Sequence, residues 1–89
     1  MATIEITLAK GWNAASGPGS LTMTVEDGFW LGKSYGWAVA PVPPTGLTKG
    51  GHEFRYRTES MSVDTGENAY VYSDRAGVVL TVTRESAPI

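Results

Sequence analysis

The chain has 89 residues, no cysteine and one histidine, and a formal net charge of −2 with a pI near 5.2. This excludes disulfides and thiolate metal sites, and it leaves no electrostatic footprint for nucleic acid. A hydrophobic share of 42% with 18% charged residues describes a single globular domain over residues 1–89, too short for two cores.

The N-terminal run has no basic segment followed by an apolar stretch, so no signal peptide is expected. No apolar run approaches the ~18 residues of a membrane span. A domain this small buries only about 60% of its unfolded surface, so support from outside the core is expected. With disulfides excluded and metal ligands scarce, that support is expected from association.

Strand signals fill the chain. Thr3 to Leu8 alternates, with Ile4, Ile6 and Leu8 inward. Lys10 to Asn13 is read as leaving the strand, and Ser16-Gly17-Pro18-Gly19 as a turn cluster. Leu21, Met23 and Val25 alternate with polar neighbours. Asp27-Gly28 is a hairpin signal, and Phe29 to Leu31 a short apolar run. Tyr35, Trp37 and Val39 share one face, and Gly36, Ala38 and Ala40 leave the other face open to close approach.

Residues 41–51 carry three prolines in four positions, at Pro41, Pro43 and Pro44. Proline donates nothing to a ladder, so this is a loop or an extended arm. From His52 to Thr58, Phe54 and Tyr56 are read inward, and Glu53, Arg55 and Arg57 outward. Met61 and Val63 point in. The chain closes on a hairpin whose second run places Val78, Leu80 and Val82 inward and Val79, Thr81 and Thr83 outward. Six to eight strands with turns every 8–12 residues predict an all-β fold, a small antiparallel sandwich or a jelly-roll-like barrel.

Chemistry is sparse. His52 has no base–nucleophile partner in sequence, and Glu53 points away from it in a strand. No histidine or carboxylate pattern has metal-ligand spacing, and Asp64 to Asn68 reads as a β-turn rather than a calcium loop. Gly17-Pro18-Gly19 is followed by no Lys-Ser/Thr, so it is no phosphate loop. No catalytic residue and no cofactor are expected.

The aromatic content is the stronger signal. Trp37, Phe54 and Tyr56 are expected in the core. If Ala69 and Val71 face in, Tyr70 and Tyr72 stand together on an outer face, suited to a protein interface or a sugar platform. Arg55 and Arg57 serve either as gatekeepers against edge aggregation or as interface anchors. The interface residues expected are therefore Pro41, Val42, Pro43, Pro44 and Leu47 in the arm, Tyr70 and Tyr72 in the hairpin, and Arg55 and Arg57.

Several features occur in a suggestive order. Thr7-Leu8-Ala9-Lys10-Gly11-Trp12 leads to a small-residue turn and an alternating strand. Then come Trp37-Ala38-Val39, the Pro41–Pro44 loop, Gly51-His52 and the Glu67 to Thr83 close. This order resembles small bacteriophage virion proteins, single β-sandwich polypeptides that decorate heads or build tails and fibres. The resemblance implies a structural, non-enzymatic capsid decoration protein made in the host cytoplasm. Its partner would be the major capsid protein or another virion subunit, and it would assemble as a homotrimer, with no membrane and no nucleic acid bound. A tail or fibre component and a carbohydrate- or receptor-binding module remain the alternatives.

Overall fold

The computed structural model describes residues 2–25, 35–45, 52, 53 and 56–89. Eight strands lie among them: β1 (Ala2–Leu8), β2 (Gly11–Ser16), β3 (Gly19–Val25), β4 (Tyr35–Ala40), β5 (His52–Glu53), β6 (Thr58–Val63), β7 (Asn68–Ser73) and β8 (Val78–Arg84). They form two four-stranded antiparallel sheets, β1-β8-β3-β6 and β2-β7-β4-β5. The pairs β1·β8, β2·β7, β3·β6 and β4·β5 nest like the rungs of one long hairpin, folded so that β3 meets β8 and β4 meets β7. That order is the jelly-roll arrangement of the β-sandwich.

Alternation sets which face each strand buries. In β8, Val78, Leu80 and Val82 are fully buried, while Val79, Thr81 and Thr83 are half-buried on the other face. In β3, Leu21, Met23 and Val25 are buried in the same way. Both sheets feed one core, with Leu8, Leu21, Met23, Val25, Val63, Leu80 and Val82 from the first and Ala15, Ala69 and Val71 from the second. Ile4, Ile6, Trp37, Val39 and Met61 pack against it from the margins.

Turn chemistry fixes the connections. Between β6 and β7, the Glu67 N–H donates to the Asp64 carbonyl over 3.1 Å, and Gly66 takes φ +89°. Only the third turn residue is left-handed, as a type II turn requires, and glycine is what fits there. The segment is thus the β-turn expected from its sequence.

Three expectations need correction. Of Lys10 to Asn13 only Lys10 lies outside a strand; Gly11 to Ser16 form β2 and pair with β7, with a bulge between Ala14 and Ser16. The small side chains of this run hide its alternation, and pairing with β7 overrides weak local preference. His52 to Thr58 is not one strand: β5 ends at Glu53, residues 56 and 57 bend, and β6 starts at Thr58. In consequence Tyr56 is not in the core but 70% exposed. Asp27-Gly28, the 29–31 run, Leu47, Phe54 and Arg55 lie outside the described residues.

Candidate interface

β4 runs from Tyr35, opposite Ser73, to Ala40, opposite Asn68. The proline segment therefore leaves the sandwich beside Asn68. Pro41, Val42 and Pro43 are exposed, Val42 by 66%, and Pro44 is half-buried. β4 and β5 are neighbours in one sheet, so the segment is no crossover between sheets.

Asn68 brings a second apolar group to the same end. Its side-chain amide donates to the Ile89 carbonyl, and its carbonyl accepts the Ile89 N–H, each over 3.0 Å. The amide thus imitates a paired backbone unit and holds the segment after β8 against the sheet. Its Nδ2 also donates to the Tyr70 hydroxyl over 3.2 Å. Further along, the Gly17 N–H donates to the Ser86 carbonyl, and the Ser86 hydroxyl to the Pro18 carbonyl, over 3.0 and 2.6 Å. The Ile89 side chain is left 77% exposed at the end where Val42 emerges. Asn68 and Ile89 were not legible as a pair, since residues so placed carry no motif.

Tyr70 and Tyr72 do lie on the face opposite Ala69 and Val71, as expected. They are not exposed, however: only 4% and 7% of their surfaces remain accessible. Their cross-strand partners explain part of this. Tyr70 lies between Ala14 and Ala38, and Tyr72 between Trp12 and Gly36. Small neighbours give the rings room to pack down on the sheet, and the Trp12 ring meets Tyr72 at 5.5 Å between centroids with a 60° tilt. An exposed tyrosine platform is thereby overturned.

Arg57 is exposed, but in the bend before β6 rather than on a strand face. Its Nε donates to the Val25 carbonyl over 3.2 Å, and its own carbonyl accepts the Val25 N–H over 2.9 Å. It ties β3 to β6. It lies far along the fold from the proline segment, since β4 enters at this end and leaves at the other.

The outer face of the β1-β8-β3-β6 sheet is almost uncharged. Side-chain hydroxyls bond across strands in the pairs Thr3–Thr83, Thr22–Ser60 and Thr24–Thr58, at 2.9 to 3.0 Å. Among the described residues no cluster of three or more histidine, aspartate and glutamate side chains is placed to hold a metal ion. Comparison with protein-family models, curated proteins and solved structures finds no match for this chain.

Proposed function

We propose that this chain is a non-enzymatic structural protein of a bacteriophage virion, a decoration protein that docks on the major capsid protein. The jelly-roll order is compatible with this reading but is shared by proteins of many functions, so the fold alone decides nothing. The observation that carries the reading is the exposed Pro41-Val42-Pro43 segment, with Ile89 presented at the same end. Proline fixes φ near −65° before binding, so such a segment loses little entropy on docking. Small contacts of this kind, repeated over a shell, add through avidity. Burial of Tyr70 and Tyr72 leaves those two rings little open face on which a sugar could stack, which favours the docking reading over a glycan-binding one.

The test is immunogold labelling of intact particles from a lysate of the host that carries the gene. Gold on heads is expected. Gold on tails would move the chain to the tail or fibre class, and unlabelled particles would refute a virion role. A variant carrying Val42→Ser with Pro43-Pro44→Gly-Gly should fold normally yet lose occupancy on the particle.

A further inference from the structure

The four sheet edges are not treated alike. β5 offers only two residues. β2 is broken by its bulge, and the Arg84 guanidinium donates to the Ala15 carbonyl over 2.9 Å. β6 carries Glu59 opposite the fully buried Met23, which places a carboxylate on the inward face of an edge strand. Each is a known way of blocking further strand addition. β1 has none of them. Its register against β8 is unbroken from Ala2 to Leu8, it has no proline, lysine or arginine, and its inward Ile4 and Ile6 are only half-buried.

We infer that β1 is a self-association edge, on which a second copy of this chain adds its own β1 antiparallel. The inference does not rest on the virion reading. The backbone sets what is offered. The Leu8 carbonyl accepts from the Gly77 N–H over 2.9 Å, so Leu8 turns its polar groups toward β8. Alternation then turns those of Ala2, Ile4 and Ile6 the same way, and those of Thr3, Glu5 and Thr7 toward the free edge.

Charge sets the register. A pairing centred on Glu5 would set two carboxylates directly opposite, which is unfavourable. Sliding by two residues centres the pair on Ile4 or on Ile6. Centring on Ile4 places Glu5 opposite Thr3 of the second copy, Ile4 opposite Ile4, and Ile6 opposite Ala2. Both half-buried isoleucines are then covered. Centring on Ile6 would spend a contact on Leu8, which is already buried.

Seven residues make an edge about 24 Å long. At a thickness of about 10 Å this is roughly a third of the ~800 Å² per partner of a stable interface. The pair is therefore weak in dilute solution and strengthened wherever copies are held close together. It is two-fold, and it stands in place of the trimer that the resemblance implies.

The chain has no cysteine, so single introduced cysteines report contacts cleanly. Ile4→Cys should oxidise to a covalent dimer at high protein concentration, while Ile6→Cys and the exposed Asp74→Cys stay monomeric. Sedimentation of the unmodified chain should show mass rising from 9.5 kDa toward twice that value with concentration. Thr3→Pro removes one outward N–H at a position where an edge strand tolerates proline. It should leave the circular dichroism unchanged and abolish the rise. A concentration-independent mass, a trimer, association that survives Thr3→Pro in a folded chain, or cross-linking at Ile6→Cys or Asp74→Cys in place of Ile4→Cys overturns the inference. None of these outcomes bears on where gold falls on a particle.

Discussion

Leu80→Ala tests the core most directly. Leu80 is fully buried in β8, opposite Ile6 on β1 and opposite Val25 on β3. The substitution removes three carbons, worth about 2.4 kcal/mol at ~0.8 kcal/mol for each buried methylene. β8 is flanked on both sides by paired strands, so the backbone cannot close the gap. A residual cavity of about 50 Å³ adds roughly 1.2 kcal/mol at ~24 cal/mol per Å³. Half-buried Ile6 can lean into part of the space, so the expected loss is about 3 to 4 kcal/mol. A domain of 89 residues has about 4 to 13 kcal/mol in total, so the variant should stand near its folding limit. Thr81→Ala, one residue on and facing outward, should cost well under ~1.5 kcal/mol. Urea denaturation followed by circular dichroism gives both values, provided the slopes match the unmodified chain. Equal losses at the two positions, or a loss below ~1 kcal/mol at Leu80, would refute the facing of β8, since a one-residue slip exchanges the two faces.

Asn68→Ala should cost about 1 to 3 kcal/mol, because it removes both bonds to Ile89 and leaves the buried Tyr70 hydroxyl without that donor. Amide exchange at Ile89 should quicken while the β8 amides stay protected. Gly17→Ala would drive a Cβ into the Ala87 carbonyl and the Ser86 hydroxyl. It should displace residues 86–89 and open them to limited proteolysis without unfolding the sandwich. Gly77 sits at φ +93° with open space around a Cβ. Gly77→Ala should therefore cost about 1 to 2 kcal/mol through backbone strain alone, measured by thermal melting.

Legibility in the sequence followed the strength of the alternation. β1 and β3 alternate between apolar and polar residues, β8 does so from Leu80 to Thr83, and each faces as the pattern predicts. β2 is hidden in the sequence because Asn13-Ala14-Ala15-Ser16 offers no contrast, and a bulge interrupts its register. The exposure of Tyr56 is hidden because an alternation reaching across two strands looks like one long strand, and the bend that exposes it has no glycine or proline to announce it. The exposed proline segment was legible because proline restricts its own backbone whatever surrounds it. The Asn68–Ile89 pairing was not, because it depends on two segments meeting in space.

The tyrosines change the meaning of association for this chain. β7 is buried from Asn68 to Ser73 without a break, so both faces of this inner strand are covered. Ala69 and Val71 supply the core face, and Tyr70 and Tyr72 form a second apolar layer on the other face. Two tyrosines bury roughly 150–250 Å² each, which at ~25 cal/mol per Å² is several kcal/mol of gross stabilisation, comparable to the net stability of a small domain. Part of the extra burial that a small cysteine-free chain needs is thus found within the chain. Among the described residues, the surface leaves open an apolar end carrying Val42 and Ile89, the exposed Tyr56 in the bend before β6, and the unprotected edge of β1. Contacts made there cost the monomer nothing to present, so they can be weak singly and still act together when many copies share one surface.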